Sequence, residues 1–463
     1  MPSKVVAVTG GSGQIGTLVL RRLVNDPDIA RVISIDRRPP YVASTKLQPI
    51  DADIRDHDLA RHFTNCEAVV HCAALVAARA PPEIFHSVNV DGGKNVFRAA
   101  VSAGVKTIVH ISSVMAYGCA ANHPVPIDEH AIRVDQPDFP YVSCKFQLEE
   151  FIDQFEKDEP DVAISRIRAN VLIGRNMPHL LGKLLHVGWI PDIGGTPLPL
   201  VWDEDVADLV MAALRNRARG AFNASAEDLL NADELGRRVG FRSVRTPSLL
   251  VLAYRTLRAA LASFGLHLLP DPAWVDKMRG AMLVASSKRA RTELGWCPHY
   301  PTATAVVKRF QEVSPRGTDL RVQLFLWFSI LLLDRRSAIL PDRRCRINIC
   351  VDGPTGRDLT FLLTPDRIKV ASGPRPNPSS TIVLRDSVFR ALLVGTIEPD
   401  RARRDGRISV EGEAADWTVF RRLVELLVAP QRAGGIRGTL IRFMARLLAS
   451  SKPVDRPDSS SVR

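Results

Sequence analysis

The stretch KVVAVTGGSGQIG (4–16) constrains the fold of this chain more than any other. A run of Val and Ala reads as a strand, and the helical pattern IGTLVLRRLVND (15–26) starts before the glycines have ended. Strand must therefore become helix within TGGSGQIG (9–16), where Gly10, Gly13 and Gly16 are spaced GxxGxxG. Glycine lets the backbone turn tightly and lets a pyrophosphate approach it closely. The helix start at Gln14 and Ile15 offers free N–H groups and the positive end of a dipole to such phosphates. A Gly-rich turn alone is weak evidence, but this one sits in the context a dinucleotide site demands.

The alternation of strand and helix continues to about residue 175. VISID (32–36), QPIDAD (48–53), AVVHCAA (68–74), TIVHISS (107–113) and AISRIRANVLIG (163–174) are nearly continuous in apolar character. Strands buried on both faces look like this. With helical segments such as NVDGGKNVFRAAVSAG (89–104) between them, they predict an α/β fold with a doubly wound parallel sheet. Asp36 ends the second strand, twenty residues after Gly16. A carboxylate there accepts hydrogen bonds from both ribose hydroxyls and favours NAD. Arg37 and Arg38 follow at once and could attract the extra phosphate of NADP, so NAD is the expected cofactor and NADP the alternative.

YVSCK (141–145) then acquires a meaning. Tyr141 and Lys145 are four residues apart, on one face of a helix that Pro140 would start. A hydride transfer to or from a carbinol needs a proton moved on the same oxygen. Free tyrosine, with a pKa of about 10, is a poor base at neutral pH, and a nearby ammonium group lowers that value. Ser112 and Ser113 end the strand TIVHISS, at the carboxyl edge where open α/β sheets bind ligands. No cluster of His, Cys and acids has ligand spacing, and His71 and Cys72 read as buried strand residues, so no metal is expected.

TGGSGQIG, Asp36, DADIRD (51–56), HCAA (71–74), VNVDGGKNVF (88–97), ISSVMAYG (111–118), YVSCK and LGWCP (294–298) together resemble the extended short-chain dehydrogenase/reductase family. This is the nicotinamide-dependent epimerase, dehydratase and 3β-hydroxysteroid dehydrogenase group, with a Rossmann-type sheet and a small cap. The resemblance spans about the first 300 residues. It selects Ser113 as the third catalytic donor beside Tyr141 and Lys145, and gives Lys145 and Tyr141 a second role at the nicotinamide ribose. It also implies that Asp53 and Ile54 contact the adenine, that Ala73 and Ala74 pass beside the middle of the cofactor, and that Asn170 and Val171 lie near the nicotinamide or substrate.

Charge divides the chain. Residues 1–313 hold 36 Lys+Arg against 34 Asp+Glu, and residues 314–463 hold 26 against 16. Two units of different character follow: a dehydrogenase unit over 1–313, with a core to about 175 and a cap from 176, and a second unit over 323–430. A linker is expected over 314–322, and a basic amphipathic segment with a disordered tail over 431–463. In the second unit CRINICVDG, DLTFLLT, RIKVAS, STIVLR and RISVEG read as strands, DSVFRALLVG and WTVFRRLVELL as helices, an α+β pattern. The run from Ile347 to Leu427 resembles the sterol carrier protein type 2 domain, which implies lipid binding; an assembly domain that pairs subunits into a homodimer is the alternative.

Neither LFLWFSILLL (324–333) nor the apolar stretch 248–270, interrupted by Arg255 and Arg258, fits a membrane span. The second, and the basic segment 434–450, fit a helix lying on a surface, so peripheral contact with the inner face of a membrane is an expectation. Seven scattered cysteines and a start that runs straight into a strand point to the cytoplasm. Basic residues without interleaved aromatics argue against nucleic acid. The expected function is NAD(P)-dependent oxidation or reduction of a hydroxyl or keto group on a sterol-like or other lipid, with decarboxylation conceivable by family analogy. Sugar-nucleotide epimerisation or dehydration, and non-catalytic binding of nucleotide and lipid, are the alternatives.

Overall fold

The computed structural model describes residues 4–76, 81–120, 122–175, 180–192, 194–245, 248–263, 283–313, 344–353, 358–364, 367–412 and 414–428, with Val322, Phe325, Leu326, Thr439, Arg442, Phe443 and Ala445. The expected linker except Val322, most of the run 324–333 and the tail lie outside them. The chain forms two compact units, residues 1–40 with 45–311, and residues 312–463 with 41–44.

The first unit contains strands β1 (Lys4–Thr9), β2 (Ile29–Ile35), β3 (Leu47–Ile50), β4 (Ala68–His71), β5 (Thr107–Ser113), β6 (Ala163–Ala169), β7 (Val171–Ile173), β8 (Trp189–Asp192), β9 (Leu200–Trp202), β10 (Gly220–Ala224) and β11 (Arg242–Arg245). Its helices are α1 (Gln14–Asn25), α2 (Pro82–His86), α3 (Gly93–Ser102), α4 (Pro140–Asp158), α5 (Leu180–His186), α6 (Asp203–Arg215), α7 (Ala232–Val239), α8 (Ser248–Ser263), α9 (Lys288–Leu294) and α10 (Ala303–Val313). Seven strands form one parallel sheet in the order β10-β6-β5-β4-β1-β2-β3. The order reverses between β1 and β4, and a switch point of this kind opens a crevice at the carboxyl ends of the strands. The glycine turn, Asp36, Ala73, Ser113 and Asn170 all follow or end strands at that edge.

Two local features differ from the sequence expectation. The stretch AISRIRANVLIG is not one strand: β6 ends at Ala169 and β7 pairs with β9 in a separate small sheet. Asn170 makes the break, because its Oδ1 accepts the N–H of Val171 at 2.9 Å while its own N–H donates to Ala224 O at 2.8 Å. The seventh strand, GAFNA, has too few β-branched residues to signal itself. Loop and cap are tied over the same edge by an isolated bridge, in which Ile127 N–H donates to Val284 O at 2.7 Å and Ser286 N–H to Ile127 O at 2.8 Å.

The second unit is a five-stranded sheet of β12 (Cys345–Asp352), β13 (Leu359–Thr364), β14 (Arg367–Ser372), β15 (Ser380–Arg385) and β16 (Ile408–Gly412), in the order β14-β13-β12-β15-β16. β12 and β15 run parallel and the other pairs antiparallel. One face carries Ile347, Ile349, Phe361, Ile382 and Leu384, buried in a core shared with α11 (Asp386–Val394), α12 (Pro399–Arg404) and α13 (Ala414–Val428). The other face carries a buried polar row: Thr360 donates to Asn348 Oδ1 at 2.8 Å, and Asn348 Nδ2 donates to Arg375 O at 2.8 Å. Period-two alternation put the apolar face of these strands together. No helix among the described residues is long and apolar enough to cross a membrane.

Candidate active site

The glycine turn is built by contact. Gly10 has φ +73, and a Cβ there would lie 2.5 Å from the backbone N of Ala73. A Cβ at Gly16 would lie 2.1 Å from Gly10 O. Turn, α1 and the loop after β4 are thus packed backbone on backbone, which brings Ala73 to the turn. A Cβ at Gly13 would meet nothing nearer than Gly10 O, at 3.2 Å. No side chain caps α1, so the first-turn N–H groups of Gln14, Ile15 and Gly16 are left for a ligand. This cradle fits a pyrophosphate.

Asp36 closes the next side. Its Oδ2 accepts the N–H of Ser12 and its Oδ1 the N–H of Arg38, both at 3.0 Å. The carboxylate is therefore fixed beside the turn, where a ribose would lie. Both neighbouring arginines approach acids: Arg37 is 3.8 Å from Asp53, and Arg38 3.9 Å from Asp36. Asp53 is also gripped by Arg55, at 2.7 and 2.9 Å, and this guanidinium holds its carboxyl below the usual range. The Asp53 side chain is thus committed within its own loop. Ile54 is buried, and its carbonyl accepts from Asn95 at 2.8 Å. Asn89, in a motif that sequence reading did not assign to the site, clamps the segment after Ala74: Leu75 N–H donates to its Oδ1 at 2.7 Å, and its Nδ2 donates to Leu75 O at 3.0 Å.

Pro140 stands at the first position of α4, and Tyr141 and Lys145 follow on one face. Ser113, at the end of β5, donates to Ala169 O at 3.4 Å and accepts from Met115 N–H at 3.2 Å. The Tyr141 hydroxyl is hydrogen-bonded to it; burial pushes this phenol up to about 12, against the opposing effect of that bond. Lys145 donates to Ile111 O at 3.0 Å, and burial lowers its amine to about 8 although Glu149 opposes the fall. The expectation that Lys145 depresses the Tyr141 pKa is corrected here. The amine is engaged by a β5 carbonyl, and burial dominates both groups.

One turn beyond Lys145 lies a residue the sequence did not announce. Glu149 is fully buried. Ser112 donates to its Oε1 at 2.5 Å, Arg168 Nε donates to both oxygens at 3.0 Å, and Arg133 donates to Oε2 at 2.9 Å. Burial pushes this carboxyl up, but the arginines outweigh it and hold it down at about 2. Arg168 also donates to the Tyr117 hydroxyl at 2.8 Å, which in turn donates to Asn223 at 2.8 Å. The network joins α4, β5, β6 and β10 directly behind Ser113. An acid four residues after Lys145 and two arginines inside a buried strand were the available signals.

Other buried groups complete the edge. Asn170 spends its amide on Leu283 O at 2.8 Å and Ser225 at 3.3 Å, holding the cap segment; Val171 follows it half-buried. His71 bonds Thr9 at 2.7 Å and stacks on His110 at 5.0 Å; burial and then Lys145 push it down to about 3. Asp203 accepts from Gln14 Nε2 at 2.8 Å, and burial raises its carboxyl to about 7. Asp205, Asp208 and His299 do bring ligand atoms within 4.8 Å of one another. Asp205 nevertheless uses both oxygens to fix the turn at His299 and Tyr300, through N–H bonds of 2.9 and 3.0 Å.

Two outcomes follow. Glu149→Gln leaves buried arginines without their counter-charge and should destabilise the protein by about 3–5 kcal/mol in urea titration. Because the folded carboxyl is depressed to about 2, this contribution is present above the unfolded pKa of about 4.3 and fades as pH falls toward 2. Asp203 has the opposite sign. Its folded pKa of about 7 means that stability present below the unfolded value of about 3.9 is lost as pH rises through 7. Asp203→Asn should therefore melt above the parent protein at pH 8, and the gain should shrink toward pH 5, in thermal denaturation across that range.

Residues 6–225 match the model of the NAD dependent epimerase/dehydratase family. Uncharacterized protein Rv0501 of Mycobacterium tuberculosis is 30% identical over 318 residues, covering 65% of this chain and 82% of that protein. Human 3 beta-hydroxysteroid dehydrogenase type 7 is 33% identical over 124 residues, 25% of this chain and 34% of that one. UDP-glucose 4-epimerase from Bifidobacterium longum, solved with NAD+ and UDP, superposes with a TM-score of 0.51 at 18% identity, over 66% of this chain and 97% of the other. That likeness concerns the fold of the first unit. With the glycine turn, Asp36 and the Ser113, Tyr141 and Lys145 edge in place, the first unit of the chain belongs to the NAD dependent epimerase/dehydratase family.

Proposed function

We propose that the first unit is an NAD-dependent oxidoreductase acting on a hydroxyl or keto group of an apolar, sterol-like or other lipid substrate. The observation that carries this reading is the setting of Tyr141. Its side chain packs against two apolar clusters, one formed by Phe85, Val90 and Cys144 and one that includes Val114, Met115, Phe139 and Leu283. Apolar clusters beside the side chain that carries the proton-exchanging hydroxyl favour an apolar carbinol over a diphosphate-bearing sugar. NAD, when bound, accepts or supplies the hydride.

The chain's own residues handle the proton. Ser113 orients the substrate oxygen through its hydroxyl, and Tyr141 exchanges a proton with that oxygen at Oη. A phenol raised to about 12 is neutral near pH 7, so the resting site is set to donate to a ketone. Lys145, titrating at about 8, is the group that returns a proton to the phenolate. In the reverse direction the same proton passes from the alcohol to Tyr141 while the carbon loses its hydride. Asp36 would hold the ribose hydroxyls and repel the extra phosphate of NADP. The second unit, with one largely apolar sheet face under helices, is read as a sterol carrier protein type 2-like holder for the lipid.

Tyr141→Phe should lower NAD reduction by a panel of hydroxysteroids by at least about a hundredfold, while titration by intrinsic fluorescence still shows NAD binding. Turnover of UDP-sugars without net cofactor change would instead overturn the lipid reading. Ketone reduction should fall, and alcohol oxidation rise, as pH passes through about 8. In Lys145→Met that inflection should vanish from kcat/KM measured between pH 6 and 10.

A further inference from the structure

Helix α8 faces water with the wrong side. Leu252, Ala253, Thr256, Leu257, Ala259, Ala260 and Ser263 are exposed, with Leu252 at 58% and Leu257 at 54%. At 3.6 residues per turn these positions fall within one half of the helix circumference. That half carries no charge. The two charged positions of the helix, Arg255 and Arg258, fall on the other half by their spacing. A surface helix in water ordinarily turns its charged face outward.

The surroundings say what the uncharged face suits. Between Glu234 and Asp271 the sequence has six arginines, at 237, 238, 242, 245, 255 and 258, and no acid. Arg237, Arg238 and Arg242 are exposed and form no ion pair among the described residues; Arg245 is exposed and pairs with Asp192 at 3.1 Å. β11, which carries Arg242 and Arg245, pairs with β8, and Arg242 lies in register with Trp189, itself 44% exposed. Val187, just before β8, is 64% exposed. Ser248 starts α8 three residues after Arg245, so the basic strand and the apolar helix are held within about 10 Å along the chain. A second copy of this chain on the same face would bring one arginine cluster against another, at a repulsive cost. An anionic bilayer meets both features: its surface attracts the arginines, and its acyl boundary takes Leu252, Leu257 and the indole of Trp189.

We propose that α8 together with the β8–β11 edge is a docking surface for anionic lipid membranes, with Leu252 and Leu257 entering the interface. The helix has sixteen residues and lies in the plane of the surface; it does not span. This surface goes beyond the catalytic reading and stands whether or not the substrate is a sterol. The test uses the full-length protein and sedimentation with phosphatidylcholine vesicles, alone or mixed with phosphatidylglycerol. Binding is expected only to the mixed vesicles and should weaken with added salt. Leu252→Glu/Leu257→Glu should lower the partition coefficient about tenfold or more, as should Arg237→Glu/Arg242→Glu. NAD titration and melting temperature report that the variants fold and keep the nucleotide site. The proposal is overturned if the parent protein binds neither vesicle, or if both variants bind as the parent does, which would move the contact to another segment. It is overturned equally if, without lipid, the parent is a dimer by light scattering and Leu252→Glu/Leu257→Glu a monomer.

Discussion

A carboxylate with no exposure, inside a parallel sheet domain, sets the geometry on which the rest of the first unit depends. An uncompensated charge at the position of Glu149 would be prohibitive, so Arg168 and Arg133 must reach it and Ser112 must bond it. Those partners sit beside the residues that matter: Ser112 precedes Ser113, and Arg168 precedes the Ala169 whose carbonyl accepts from Ser113. Apolar packing alone would let α4 slide on the sheet by fractions of a turn. The ion pair and its hydrogen bonds are directional and fix the helix, and Lys145 and Tyr141 ride on it one and two turns upstream.

The contrast with Asp203 shows that burial by itself decides nothing. Both carboxylates are buried, yet one is driven down to about 2 and the other up to about 7. Glu149 faces guanidinium groups, whereas Asp203 receives the neutral amide of Gln14. An amide stabilises the charged form too weakly to offset desolvation, and Glu204 beside it adds a like charge. The protonated form of Asp203 therefore belongs to the native state at mildly acidic pH. This acid lies next to the first turn of α1, where a fixed negative charge would oppose a pyrophosphate.

How much of this was readable from the sequence depended on range. The glycine turn, the acid ending β2 and the Tyr141–Lys145 spacing are local: neighbours in sequence determine them, and the expected placement of each is what the fold contains. The parallel sheet and the five strands of the second unit were legible for the same reason, through apolar runs and period-two alternation. What escaped depends on distant partners. Nothing near Glu149 in sequence says that Arg168 will meet it, or that Lys145 will donate to Ile111 O. The break at Asn170 is invisible without Ala224 and Leu283, since the residues on either side continue an apolar run. Asp53 was read through its family position, whereas Arg55, two residues on, engages its side chain.

Two independent features bear on the kind of substrate. Tyr141 packs against two apolar clusters, and this concerns only what lies beside the proposed proton-exchanging group. The uncharged face of α8 and its flanking arginines concern only where the protein can rest. A water-soluble sugar nucleotide gains nothing from an enzyme held at a bilayer, and its diphosphate would be repelled by an anionic one. A lipid alcohol dissolves in that bilayer and is concentrated there by the same transfer free energy that would seat it against Phe85 and Phe139. On the readings proposed above, the apolar clusters and the surface thus point to the same chemical class by different physics, and a failure of either leaves the other intact.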